Sequence, residues 1–383
     1  MASVLLTDAE ERSIVAAARS LQRAGHRVAA AGRSRLAPAH WSRACRERHI
    51  VPDPRRDAPG FVAGLEALVR GGGYDVLVPG SDVSLPLISE ARARLEPHTQ
   101  LGLPDDDVVR ASGDKEVLLS AGAEAGLAPP PTVICADSDE ASAAARELGY
   151  PLIVKPIRSA AGELGAVRQR PAGFAATEAE LHRAVGEAGP RVLVQRFERP
   201  LAHLSCGGVA AGGRVRGLVV ARFHRTWPVR SGAAAFAETV EPPDGLAAGL
   251  ARLLEALGWR GIFELEVLVL EDGRMCAIDF NPRVFGWLAL AIAAGADLPR
   301  AWLESLLGGG AAETGPARAG LRYRWEDGDA CWAAWHLRRG RLRQAAAALR
   351  PARNVTHAHF RLTDPGPLPA RALWVLSRRY RRS

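Results

Sequence analysis

Gly261-Ile-Phe-Glu-Leu-Glu-Val-Leu-Val-Leu-Glu-Asp-Gly-Arg-Met-Cys-Ala-Ile-Asp-Phe-Asn-Pro-Arg283 is the stretch on which the reading of this chain turns. Two strand-like runs flank Glu271-Asp272-Gly273, the composition of a hairpin turn. Side chains alternate along a strand, so Glu264, Glu266 and Leu268 share one face, and Asp279 and Asn281 share a face on the returning strand. A turn centred at Asp272 sets Glu266 opposite Asp279 and Glu264 opposite Asn281, about 5 Å apart at Cβ. Carboxylates that close repel strongly unless a cation sits between them. Oxygen donors of this kind suit magnesium, which keeps waters and shares its shell with phosphate oxygens. Arg283 points the same way and could neutralise a phosphate. The opposite face (Leu265, Val267, Val269, Ile278, Phe280) is uniformly apolar and is expected to anchor the hairpin in a core.

Two lysines lie upstream in a chain where lysine is nearly absent. Lys115 opens a helix in Ser112-Gly113-Asp114-Lys115. Lys155 ends the apolar strand Pro151-Leu-Ile-Val-Lys155-Pro156, well placed to hold a phosphate as a point charge. The small-residue loop Arg158-Ser-Ala-Ala-Gly-Glu-Leu-Gly-Ala166 follows and could bring backbone N–H groups over phosphates. Around these, the segments form recognisable units. Ser3–Leu6, a helix over 11–24 and a strand from His26 begin a βα pattern that continues with a helix over Phe61–Val69 and a strand Tyr74–Val78, which predicts a parallel sheet. The first turn lacks GxGxxG, so a nicotinamide oxidoreductase is disfavoured. Strands dominate from about 191 to 282, with hairpins at Ala211-Gly212-Gly213 and at Asp272. From 309 onward the chain is helical and basic.

The chain has 383 residues, 48% hydrophobic and 24% charged, enough for two or three domains with filled cores. No run of about 18 uncharged apolar residues exists, so no membrane span is expected. The N-terminus carries no secretory pattern, and the five scattered cysteines lack metal spacing. A reducing cytoplasm is the expected compartment. The net charge of +8 concentrates after residue 310, as in Arg338-Arg339-Gly340-Arg341. No aromatic-interleaved or helix-turn-helix reader accompanies it, so nucleic acid is not an expected partner.

The order Ser-Gly-Asp-Lys115, Pro-Leu-Ile-Val-Lys155-Pro, small-residue loop, Val-Leu-Val-Gln195-Arg-Phe and Glu-Leu-Glu266…Asp279-Phe-Asn281-Pro-Arg283 resembles the ATP-grasp superfamily, which includes biotin carboxylase and carbamoyl phosphate synthetase. Arg222-Phe-His-Arg225-Thr-Trp-Pro228 with Gly232…Glu238-Thr-Val240, and Arg322-Tyr-Arg-Trp325 with Thr363-Asp364-Pro365, are similar to a carboligase branch related to ligases that join amino acids. The resemblance implies an α/β and α+β architecture: a Rossmann-like pre-ATP-grasp domain (1–110), a two-lobed ATP-grasp domain (111–190 and 191–308) and a small basic tail (309–383). It implies ATP and Mg2+ as cofactors. Lys115 and Lys155 would contact the α- and β-phosphates. Gln195, with the backbone of Arg196 and Phe197, would read adenine, and His203 would touch ribose. Arg222 or Arg225 would face the triphosphate or an acyl phosphate. Glu266, Asp279 and Asn281 would hold the metal, and Arg283 would steady the transferring phosphoryl group.

Asp279 stands where the family usually has glutamate, one methylene longer, and Gln195 where it often has glutamate. The implied reaction joins a small carboxylate to an amine through an acyl phosphate. A bicarbonate-using carboxylase and a nucleotide-binding regulator without turnover are the rival readings. A closing lid is expected at 157–166 or at Gly232-Ala-Ala-Ala, and a homodimer is compatible with the resemblance.

Overall fold

Alternating apolar strands and alanine-rich helices give residues 1–110 a five-stranded parallel sheet in the computed structural model, which describes residues 1–158, 160–161, 168–169, 172–229, 232–309 and 315–380. The sheet runs Glu47–Ile50, Arg27–Gly32, Ser3–Leu6, Val76–Val78, Gln100–Leu101. The helix Arg12–Arg23 buries Ile14, Ala17, Ala18 and Leu21, as their spacing predicts. The two edge strands escaped the sequence reading. Glu47-Arg-His-Ile50 carries three polar residues and Gln100-Leu101 is too short to show a period. The strand order reverses between Ser3–Leu6 and Val76–Val78. The loops leaving these two strands therefore open a crevice at the carboxyl edge, the usual ligand position of an open parallel sheet.

A four-stranded antiparallel sheet follows, ordered Gly173–Ala175, Leu152–Pro156, Val192–Arg196, Thr132–Cys135. The helices Ser138–Leu148 and Glu178–Ala188 cover one face, each opened by a side-chain cap, Asp137 and Thr177. Their alanines and leucines fill a small core with Leu152, Val154 and Val194.

The largest sheet has seven strands in the order Met275–Asn281, Gly261–Val269, Ala202–Ala211, Arg214–Trp227, Ala233–Val240, Arg322–Arg324, Val355–His357. Gly212 and Gly213 adopt φ of 58° and 70°, which lets the hairpin turn there tightly. The decisive hairpin has the expected register, Glu264 opposite Asn281 and Glu266 opposite Asp279. A bulge then intervenes before Val267 pairs with Ala277. Its extra residue is Ile278, so this side chain lines a cavity instead of joining Leu265, Val267 and Phe280 in the core. That corrects the expectation of a uniformly apolar back face. Residues after 315 form the helices Glu326–Leu337, Leu342–Leu349 and Pro367–Tyr380, and also supply the last two strands of the large sheet. No helix among the described residues is long and apolar enough to cross a membrane.

Candidate functional site

The three sheets meet at a cavity of about 840 Å3. Each contributes a different chemistry. The chain's only two lysines, Lys115 and Lys155, both line it. Asp114 caps the helix Lys115–Glu124 and aims Lys115 into the space, where its Nζ lies 3.0 Å from Asp279 Oδ1. Lys155, near the end of its strand, donates from Nζ to the Ile278 carbonyl at 2.8 Å. The bulge in the acidic hairpin thus exposes the carbonyl that holds one lysine, while the adjacent carboxylate holds the other. Burial lowers the Lys155 ammonium to about 8, with Asp279 opposing and Lys115 adding to the fall.

The acidic face is deeply set. Glu264 is only 5% exposed. It accepts hydrogen bonds from Ser205 Oγ at 2.7 Å, Trp287 Nε1 at 2.5 Å and Asn281 Nδ2 at 3.2 Å. Burial first, then the neighbouring Glu266 carboxylate, raise its pKa to about 7. Glu266 Oε2 lies 2.8 Å from His203 Nε2, and the His203 ring packs on Phe223. Asn281 Oδ1 accepts from Arg283 Nη2 at 3.0 Å. Arg283 also forms a two-pronged pair with Asp82, 2.6 and 2.7 Å, reaching across to the loop after Val76–Val78. Burial alone would lower the Arg283 pKa, but the Asp82 carboxylate reverses this and holds it above the usual value.

Among the described residues, no group of three or more His, Cys, Asp or Glu side chains is arranged to hold a metal ion. Glu266 and Asp279 with the Asn281 amide nonetheless fit magnesium, which takes one or two carboxylates and completes its shell with water and phosphate oxygens. Along the cavity wall, Gln195 is 4% exposed and donates from Nε2 to Thr132 Oγ1 at 2.8 Å. Arg196 pairs with Glu198 at 2.9 Å, and Phe197 packs edge-on against Phe174. Ile153, Leu268 and Ile278 supply the apolar surface beside them.

Eleven of the twelve sequence-predicted residues therefore line one cavity: Lys115, Lys155, Gln195, Arg196, Phe197, His203, Arg225, Glu266, Asp279, Asn281 and Arg283. Arg222 is the exception. It registers with Leu204, whereas the neighbouring Ser205 faces Glu264, so alternation turns Arg222 to the opposite sheet face, exposed. Arg225 lines the cavity, but its guanidinium is engaged: it pairs with Asp329 at 2.8 and 2.7 Å and lies over the Phe236 ring. It braces the tail helix Glu326–Leu337. Gly232, Ala233 and Ala234 do line the cavity. The other expected lid, 157–166, lies largely outside the described residues; Arg158 pairs with Asp114 at 3.2 Å. The sequence reading missed Asp82, Trp287 and Arg12, whose Nε donates to the Gly286 carbonyl at the cavity wall. Gly80-Ser81-Asp82, just past a buried strand at the order reversal, carried the signal for the first.

No protein-family model and no curated protein sequence matches the chain. Solved structures do. N5-carboxyaminoimidazole synthetase from Staphylococcus aureus superposes with a TM-score of 0.64 at 13% identity, over 84% of this chain and 80% of that one, and is also known with ADP. Biotin carboxylase from Campylobacter jejuni gives 0.67 at 16% identity, over 84% and 74%. L-amino acid ligase from Bacillus licheniformis gives 0.60 at 15% identity, over 80% and 74%. At such identities the likeness speaks for architecture: this chain has the fold of the ATP-grasp superfamily.

Proposed function

We propose that the chain is an ATP-dependent carboxylate–amine ligase, releasing ADP and phosphate as it forms an amide. The observation that carries this reading is the convergence, in one cavity, of the only two lysines with Glu266, Asp279, Asn281 and Arg283. Phosphoryl transfer asks a protein for positioning and charge neutralisation rather than covalent chemistry. Lys115 and Lys155 would hold the nucleotide phosphates, exchanging their present bonds to Asp279 and the Ile278 carbonyl for phosphate oxygens. The edge of adenine would meet Gln195 and the backbone of Arg196 and Phe197. His203 Nε2 braces Glu266, which leaves Nδ1 for a ribose hydroxyl. Magnesium, held by Glu266, Asp279 and Asn281, would neutralise charge on the phosphates.

A substrate carboxylate attacks the γ-phosphorus, the bond to the bridging oxygen breaks, and ADP leaves. The amine then attacks the acyl carbon and phosphate departs. Arg283, held in place by Asp82 and Asn281, would steady the oxygens of the phosphoryl group as it moves. The acyl phosphate is prone to hydrolysis, so the 232–234 segment at the cavity wall would serve best if it excluded water.

Purified protein given magnesium-ATP and pools of amino acids is expected to release phosphate and yield a new amide by mass spectrometry. ADP release that depends on bicarbonate and needs no amine would transfer the assignment to a carboxylase. Nucleotide binding without ADP formation in any pool would leave only a regulator. Glu266→Gln and Asn281→Ala are each expected to abolish ADP formation with an unchanged melting temperature. Near-normal turnover in either would remove them from the metal site.

A further inference from the structure

A second cavity, of about 390 Å3, lies apart from the one described and shares no residue with it. One wall is the helix Arg12–Arg23, which presents Ala16, Arg19 and Arg23 at helical spacing. The opposite walls are the helix Leu288–Ala293 and the edge strand Val355–His357 with Phe360 and Arg361 behind it. Its charge is one-sided: Arg19, Arg23, Arg361 and His357 line it, and no Asp or Glu does.

Arg19 is 8% exposed, yet lies at the bottom of this space. Its Nε donates to Asp364 Oδ2 at 2.7 Å, and its Nη2 donates to the carbonyls of His359 and Asp364. Nη1 is the donor left over among the described residues. Asp364 is itself shared, since Ser42 Oγ and the Arg43 amide also donate to it. One carboxylate thus fixes Arg19 in place, and Arg23 and Arg361 add two exposed guanidiniums with no acidic partner among the described residues. His357 faces Glu326 on its other side at 3.6 Å. Burial lowers the proton affinity of Arg19, Asp364 opposes this, and Arg361 adds a smaller like-charge repulsion. Ala16, Ala289 and Ile292 give the cavity an apolar floor.

We propose that this second cavity binds a small organic anion, its phosphate or carboxylate head held by Arg19, Arg23 and Arg361 and its apolar body lying on the floor of Ala16, Ala289 and Ile292. Arg19 would give its remaining donor from a fixed position, and the guanidiniums of Arg23 and Arg361 can each offer such a head two parallel hydrogen bonds. An anion here would also answer the charges of Arg23 and Arg361, since Asp364 already answers Arg19.

The test is calorimetric titration of phenyl phosphate, benzoate and benzyl alcohol into the full-length chain. Lys115→Ala serves as the background, so that a probe entering the larger cavity does not confuse the result. Phenyl phosphate or benzoate is expected to bind saturably, and whichever binds more tightly identifies the head group. Adding Arg23→Ala and Arg361→Ala together is expected to weaken that binding about tenfold or more, the usual effect of removing charge-assisted bonds. Both side chains are exposed, so an unchanged melting temperature will verify the fold. Unchanged affinity in that variant would overturn the proposal. So would benzyl alcohol binding as tightly as the anions, or no saturable binding in the millimolar range.

Discussion

Arg225 and Asp329 illustrate how much a single residue's partner decides. Both are largely buried, 12% and 5% exposed as side chains, and they meet through two short hydrogen bonds, with Arg324 adding a third contact to Asp329 at 3.0 Å. Removing one partner of a buried pair costs up to about 3–5 kcal/mol, here reduced because Arg324 still faces Asp329. Arg225→Ala is therefore expected to lower the melting temperature by several degrees while leaving nucleotide affinity within a few-fold of wild type, read by thermal unfolding and by titration of ATP. A loss of affinity without a loss of stability would return Arg225 to the phosphates. The carboxylates of the hairpin were legible in the sequence because alternation and a turn centre fix which side chains share a face. The placement of Arg225 relative to Arg222 was not, because two irregularities interrupt the register of their strand between Phe223 and Thr226. A shift of one residue exchanges the faces.

Glu10 sits outside the cavity chemistry and sets a pH dependence of its own. It is 7% exposed, accepts from the Arg33 amide at 2.8 Å, and burial lifts its pKa to about 7, against a lowering by Arg33. The folded state thus binds a proton that the unfolded chain, near 4.5, has already lost. Stability from this group is full below about 4.5 and declines as pH rises to about 7, by roughly 3 kcal/mol at most. Glu10→Gln should flatten that decline, with a higher melting temperature than wild type at pH 8 and little difference at pH 4.5. Equal slopes in both proteins would show that Glu10 is charged when folded.

At the scale of elements, the strand Ala202–Ala211 couples the cavity to the core. Gly207 leaves room for the Phe285 ring, and a Cβ there would come within 2.4 Å of its Cζ. Phe285 packs on Trp287, whose indole donates to Glu264. Gly207→Ala should therefore displace this aromatic pair and lower the melting temperature by several degrees, with Trp287 fluorescence moving as well. An unshifted emission spectrum would mean that the ring finds room elsewhere. The central strands and amphipathic helices were readable from periodicity and caps, since each carries its own signal. The last two strands of the large sheet, Arg322–Arg324 and Val355–His357, were not, being three residues long and polar. They exist because a neighbouring strand offers them backbone partners, which is information no short window contains.

Across the whole molecule, the cavity is a property of assembly. Arg283 from the hairpin needs Asp82 from the parallel sheet, and Lys155 from the small sheet needs the bulge at Ile278. No single unit holds the constellation, which is why the sequence showed the cast of residues more clearly than their mutual bonds. Asp82→Asn is expected to lower turnover at least tenfold with a smaller change in ATP affinity, because it releases Arg283 from its present orientation. A fall in affinity alone would limit Asp82 to holding the units together.

The embrace between Arg19 and Asp364 has a temporal side. A charge buried near the start of the chain waits for an acid 345 residues later. During synthesis the helix Arg12–Arg23 therefore leaves the ribosome before its acid does, and the parallel sheet behind it gains this contact only once the segment around Asp364 has emerged. Chains cut short of Asp364 should therefore be cleaved by proteases more readily than the full sequence.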